Sequence, residues 1–281
     1  MSRIIYKEDL KPKVHLFRIE APLIAKKAQA GQFIILKIDE KGERIPLTIA
    51  DWDQKEGSIT IIFMELGATT CRLAQLEAGD ELTSFAGPLG KPTHIDNYGT
   101  VVCVAGGFAV AGIMPVARAM KKAGNKVISI VGVRSKELLF WEGELAKYSD
   151  ELIITTNDGS WGHKGLVTEP LKTLLDGEKK IDRVLAIGPS VMMKYCSLTT
   201  KPYNTPTFVS LNPIMVDGTG MCGCCRVTVG GQTKFACVDG PDFDGHQVDW
   251  DLLISRQRTY LPQEKEALEK HQCRCTEQGE K

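Results

Sequence analysis

The stretch VVCVAGGFAVAGIMPVARAMKKAG, residues 101–124, decides the fold, because it admits two incompatible readings. Residues 97–117 carry no formal charge over 21 positions, about the length that crosses a bilayer. Against a membrane span stand the Gly106-Gly107 break, Gly112 and Pro115, and the entry into Arg118, Lys121 and Lys122. A five-residue apolar run, Val101 to Ala105, then a glycine turn, then an amphipathic segment reads as strand, turn, helix. The chain is therefore expected to have no membrane contact.

Working downstream, the apolar runs KVISIVGV (126–133), ELIITT (151–156) and RVLAIG (183–188) alternate with helical stretches. Strands alternating with helices predict a parallel sheet whose carboxyl edge receives nucleotide-sized ligands. Upstream, FIILKI (33–38) and SITIIFMEL (58–66) are short alternating runs between turn-rich pieces, as in a small antiparallel barrel. The expected organisation is a β barrel over 1–97, an α/β unit over 98–204, and a cysteine-bearing unit with a charged tail over 205–281.

Composition agrees with a folded globular chain. Its 281 residues (30.9 kDa) suit two or three units of about 150 residues or fewer. Lys plus Arg and Asp plus Glu each total 35, so no basic excess remains to neutralise a nucleic-acid backbone, and nucleic acid is not an expected partner. The start, MSRIIYKEDLKPK, has no apolar core of signal-peptide length, so a reducing, cytoplasmic setting is expected and disulfides are not.

The nine cysteines then need a chemical explanation. Cys71, Cys103 and Cys196 are isolated and Cys273 and Cys275 sit in the tail, but VDGTGMCGCCRVTVGGQTKFACVDG (216–240) gathers Cys222, Cys224, Cys225 and Cys237 on glycine-rich loops. Thiolates spaced C-x2-C with a third eleven residues on suit a sulfur-loving metal, either zinc or a [2Fe-2S] cluster. Five residues before Cys222 stands Asp217, giving D-x4-C-x2-C-x11-C, the register of a plant-type [2Fe-2S] loop with a carboxylate at the first position. An Asp-Gly pair also makes an ordinary turn. Zinc completed by Cys224 or a distant histidine is the competing reading, that of an interaction module. The five histidines are scattered without ligand spacing.

Weaker signals surround this one. AGGFAVAGIMPVARAMKKAG (105–124) opens a helix after a strand, where free backbone N–H groups favour a pyrophosphate, although it lacks G-x-G-x-x-G. GPSVMM (188–193) ends a later strand but is no nucleophile elbow, since Met192 stands where glycine is required. RIPLTIAD (44–51), GATTCRL (67–73) and GPLG (87–90) place an arginine, threonines and glycines in the barrel, suited to a phosphate and a flavin edge.

Together these motifs resemble the ferredoxin reductase superfamily along nearly the whole chain: a flavin barrel, a pyridine-nucleotide unit and a C-terminal [2Fe-2S] loop. The order is similar to that of the electron-transfer subunit of dihydroorotate dehydrogenase. SLNPIMVDGTGMCGCCRVTVGG, KFACVDGPDFDGHQVD and the aspartate in place of the first cluster cysteine resemble more closely the small (alpha) subunits of NADH-dependent ferredoxin:NADP oxidoreductases, also called sulfide dehydrogenase beta subunits. The resemblance implies FAD near Arg44, Pro46, Leu47 and Thr48, with Gly67, Thr69 and Thr70 near its pyrophosphate. It implies NAD(H) at Gly106, Gly107, Asp158, Gly188 and Pro189, with Arg134 and Ser135 at the adenosine ribose or its phosphate. Asp217, Cys222, Cys225 and Cys237 would hold the cluster. Ala109 and Gly112 depart from the family's usual Gly and Pro, and Cys273-Arg274-Cys275 lies outside its pattern.

No side chain is then expected to act as acid, base or nucleophile. The implied partner is a larger FAD and [4Fe-4S] subunit, similar to the glutamate synthase small subunit, that oxidises NADPH. It would send one electron to ferredoxin and one through this chain towards NAD, in electron bifurcation. Dihydroorotate oxidation and sulfide or sulfur chemistry are the alternative settings for the same architecture.

Overall fold

The computed structural model describes residues 2–279, with side chains as far as Lys270; the side chains of Cys273 and Cys275 lie outside what is described. Seven antiparallel strands form the first sheet: β1 (Ser2–Lys11), β2 (Val14–Glu20), β3 (Phe33–Lys37), β4 (Ile45–Asp53), β5 (Ser58–Met64), β6 (Glu81–Leu82) and β7 (Ser84–Leu89). Two short helices, α1 (Pro22–Ala25) and α2 (Ala68–Ala74), interrupt them. The spatial order is β6-β1-β2-β5-β4-β3-β7. Because Thr83 alone separates the two edge strands, the sheet curls into a nearly closed barrel. Ile4, Phe17, Ile19, Ile34, Leu36, Ile49, Ile59, Ile61 and Phe63 fill it, with Phe17 and Phe63 edge to face at 5.1 Å.

The decisive stretch folds as strand, turn and helix: β8 (Thr100–Gly106) and, after a 3-10 turn, α3 (Val110–Lys122). Among the described residues no helix is long and apolar enough to cross a membrane. There follow β9 (Lys126–Val133), α4 (Glu142–Ala146), β10 (Glu151–Thr156), β11 (His163–Lys164), α5 (Thr168–Asp176), β12 (Arg183–Ile187), α6 (Ser190–Thr200) and β13 (Thr207–Ser210). These strands are parallel in the order β11-β10-β9-β8-β12-β13. The order runs one way from β8 and the other from β12, so the topological switch lies between them, where open α/β sheets bind ligands. The architecture is thus the expected one: antiparallel barrel, parallel sheet and C-terminal cysteine loop.

The chain beyond residue 204 is shared out. β13 and β16 (Asp242–Asp244) extend the second sheet, β16 antiparallel at its edge. β14 (Arg226–Val229) and β15 (Gln232–Phe235) form a separate hairpin, whose two-residue turn, Gly230-Gly231, has φ of 59° and 73°. Positive φ at both positions is what a type I′ turn requires, and glycine adopts it without strain. α7 (Trp250–Gln257), capped by the Asp249 carboxylate accepting from Leu252 N–H at 3.0 Å, and α8 (Leu261–Gly279) complete the chain.

Candidate functional site

A cavity of about 490 Å³ opens where the barrel meets the switch point. Pro46, Leu47 and Thr48 of β4 and Phe63 and Met64 of β5 line one side. Gly106, Phe108, Ala109, Gly112, Gly188 and Pro189 line the other. The third wall is the segment after β13, with Leu211, Asn212 and Met215. Its volume and apolar lining match those of small-molecule and cofactor sites.

Two of the glycines there serve packing. A Cβ on Gly106 would lie 2.5 Å from Met192 Sδ and 2.9 Å from Pro189 Cδ, and one on Gly188 would lie 2.8 Å from Met192 Cε. Pro189 and Met192 therefore pack closely over the ends of β8 and β12 because both ends lack side chains. Gly107 differs: its φ is +61° and a Cβ would meet nothing within 4 Å. It leaves open backbone beside the cavity, the kind of approach that a dinucleotide needs.

Of the barrel residues expected at a flavin, Pro46, Leu47, Thr48 and Thr70 line the cavity. The Thr70 hydroxyl accepts from Leu66 N–H (2.9 Å) and Gly67 N–H (3.1 Å), shaping the turn into α2. Thr69 donates instead to Glu43 Oε2 at 2.5 Å. Arg44 turns away from the cavity lining: its Nε donates to the Val216 carbonyl at 2.9 Å and its Nη2 to that of Asp217 at 3.2 Å. Arg134, Ser135 and Asp158 gather elsewhere on the same sheet edge, past β9 and β10. There Asp158 N–H donates to the Arg134 carbonyl (3.3 Å), and Ser160 joins the Asp158 carboxylate (2.6 Å) to Lys136 N–H (2.8 Å). The Ser160 hydroxyl and N–H hold the Asp158 carboxyl below its usual pKa.

The cysteine loop begins two residues beyond Met215. Asp217 accepts four hydrogen bonds: Thr219 N–H (3.0 Å) and Thr219 hydroxyl on Oδ1, Met221 N–H (3.2 Å) and Cys222 N–H (3.1 Å) on Oδ2. These donors, Thr219 foremost, push its pKa far below the usual carboxylate range, so it is anionic and chemically suited to a cation. Cys225 and Cys237 are each 2% exposed, and their sulfurs lie 3.1 Å apart, beyond disulfide length. Burial pushes the Cys237 thiol up to about 12. Cys222 is exposed, and Cys224, beside it, is half-buried.

Among the described residues no three of these side chains converge on one point as a single ion would need. The Cys225 and Cys237 sulfurs meet, while Cys222 adjoins both Asp217, to which it donates its backbone N–H, and Cys224. Thiols joined by one carboxylate on a single loop are a donor set suited to the irons of a [2Fe-2S] cluster.

Sequence reasoning did not single out Phe63, Met64, Phe108, Asn212 or Met215 as cavity walls. The segment SLNPIM (210–215), just ahead of the cysteines, carries the signal for the last two. Phe63 and Met64 lay within a run read for its alternation alone.

The sequence pattern of the iron-sulfur cluster binding domain of dihydroorotate dehydrogenase B matches residues 212–249, the span from the cavity wall through the cysteine hairpin. The chain is 46% identical over 270 residues to the dihydroorotate dehydrogenase B (NAD(+)) electron transfer subunit homolog of Thermotoga maritima, covering 96% of this chain and 95% of that one. It is 32% identical over 248 residues to the corresponding electron transfer subunit of Desulforamulus reducens, covering 85% and 94%. Among solved structures it superposes with TM-score 0.91, at 46% identity and over 96% and 97% of the two chains, on an NADH-dependent reduced ferredoxin-NADP oxidoreductase studied for flavin-based electron bifurcation. Phthalate dioxygenase reductase, at 16% identity and TM-score 0.59 over 81% and 85%, shares the fold. The expected resemblance is thereby met, and the chain belongs to the family of dihydroorotate dehydrogenase B electron-transfer subunits and their homologues.

Proposed function

We propose that the chain is an FAD- and [2Fe-2S]-containing electron-transfer subunit. It exchanges hydride with NAD(H) and single electrons with a larger FAD and [4Fe-4S] subunit, in electron-bifurcating NADH-dependent ferredoxin:NADP oxidoreduction. The observation that carries this is continuity: Met215 lines the cavity at the switch point, and Asp217, two residues on, opens the cysteine loop. A two-electron site and a one-electron site would thus share a wall.

When bound, a nicotinamide supplies hydride, a flavin converts pairs into single electrons, and an iron-sulfur cluster carries them singly. The protein's part is binding, orientation and exclusion of water. Pro46, Leu47, Thr48 and Thr70 would hold the flavin, with Phe63, Met64 and Phe108 keeping the cavity apolar. Gly106, Gly107, Gly188 and Pro189 would present the switch-point edge to the nicotinamide nucleotide, and Arg134, Ser135 and Asp158 would meet its adenosine end. Asp217, Cys222, Cys225 and Cys237 would hold the cluster.

Support for the bifurcating setting comes from the 46% identity to the NADH-dependent ferredoxin-NADP oxidoreductase chain and from the aspartate at the first cluster position. The match at residues 212–249 supports a second reading, service to a dihydroorotate-oxidising subunit. The test is anaerobic purification with flavin, iron and zinc assayed together, a visible spectrum before and after NADH, and identification of the copurifying large subunit. Expected are FAD, two irons and bleaching by NADH, with a flavin and [4Fe-4S] partner. A dihydroorotate-oxidising partner would select the second reading; a colourless zinc protein would overturn both.

A further inference from the structure

Arg44 directs both of its hydrogen bonds across 172 and 173 residues of sequence, to the carbonyls of Val216 and Asp217. Its own loop is pinned from behind. Glu43 accepts from Thr69, and Asp39 pairs with Arg72, so α2 holds the β3–β4 connection at two points. On the other side, Arg44 leads directly into Ile45 and the cavity-lining Pro46, Leu47 and Thr48. Gly218 completes the contact: with φ at +78°, it lies so close to the barrel that a Cβ would meet Ile35 Cδ1 at 2.5 Å and Leu89 Cδ1 at 2.9 Å. Three consecutive residues, Val216, Asp217 and Gly218, are therefore fixed by the barrel itself.

We propose that Arg44 is a positioning residue for the cysteine loop, holding the Asp217 segment against the wall of the cavity and supplying positive charge beside any cluster bound there. This rests on the reading of the loop as a [2Fe-2S] site. The guanidinium is suited to the task because its rigid planar fork holds two acceptors in a set orientation, whereas the donors of a lysine ammonium rotate freely. Reduction adds negative charge to a cluster, and a nearby cation favours the more negative form. Arg44 therefore has two separable effects, one from its fork and one from its charge.

The test compares the flavin- and iron-loaded parent with Arg44→Met and Arg44→Lys, reading flavin and iron content, the EPR spectrum of the reduced cluster and its midpoint potential. In Arg44→Met the flavin stays, the EPR lines broaden, and the reduced-to-oxidised ratio at fixed potential falls about tenfold, a downward shift of about 59 mV for one electron. Arg44→Lys recovers most of the potential but not the sharp lines. If Arg44→Met does not fold, Arg44→Lys still decides through its EPR linewidth. Variants with parental spectrum and potential, or loss of flavin with an unchanged cluster, would overturn the proposal. A parent protein with flavin but no iron would overturn the reading of the loop itself.

Discussion

At the scale of single residues, Asp217 and Gly106 make the sharpest demands. The Asp217 carboxylate organises its own turn through four hydrogen bonds and also stands in the first position of the cysteine register. Asp217→Cys is expected to keep two irons while changing the EPR spectrum. Asp217→Ala, losing the turn acceptor and with it the proposed ligand, is expected to lose most of its iron. Iron assay and EPR check both, and parental spectra in both variants would remove Asp217 from the ligand set. Gly106→Ala forces a methyl against Met192 and Pro189 and should cost about 1–3 kcal/mol by overpacking, read as a lowered midpoint in thermal or urea denaturation. Sequence alone showed that an arginine before Pro-Leu-Thr and an aspartate before the cysteines were special. It could not show that the two meet, because their contact spans 173 residues and runs through backbone carbonyls, which carry no residue identity.

Among the elements, legibility followed unbroken runs of apolar and β-branched residues. The runs at 126–133 and 151–156 coincide with β9 and β10 to the residue, because both are runs rich in Val, Ile and Thr that end where Arg134 or Asn157 begins. β1 hides because its sequence, SRIIYKEDLK, is mostly polar on an outer barrel strand. β16 hides because three residues, Asp-Phe-Asp, pair only with an edge. A test of how the second sheet is held lies at Asp182, before β12. Its carboxylate pairs with Lys180 and accepts from Thr100 N–H at 2.9 Å, which hold its pKa below the usual value. With a lowered folded-state pKa, its contribution is full above about pH 4 and fades as the pH drops further. Asp182→Ala is accordingly expected to lose about 1 kcal/mol at pH 7, the worth of a hydrogen bond to a charged group at a partly exposed site. The gap from the parent should narrow below pH 4 in urea titrations.

Across the whole molecule, one apolar core ignores the boundaries that the sequence suggested. It contains Phe33 and Ile35 of the barrel, Val102, Val104 and Ile128 of the parallel sheet, Cys225 and Cys237 of the hairpin, and Trp250 of α7. Removing the chain beyond residue 204 would also strip β13 and β16 from the second sheet. Calorimetry is therefore expected to show one cooperative transition rather than three. Chelation that strips iron from the hairpin should lower the midpoint of that whole transition, because what binds only the native state stabilises all of it. A separate low-temperature transition for residues 205–281 would contradict the shared core. The uneven exposure of the thiols carries one last consequence, for biogenesis. Cys225 and Cys237 are sealed into that core while Cys222 faces solvent. If all three thiols hold the cluster as proposed, one delivered to the finished fold would reach Cys222 alone, and refilling a stripped protein is expected to require transient loosening of the interior.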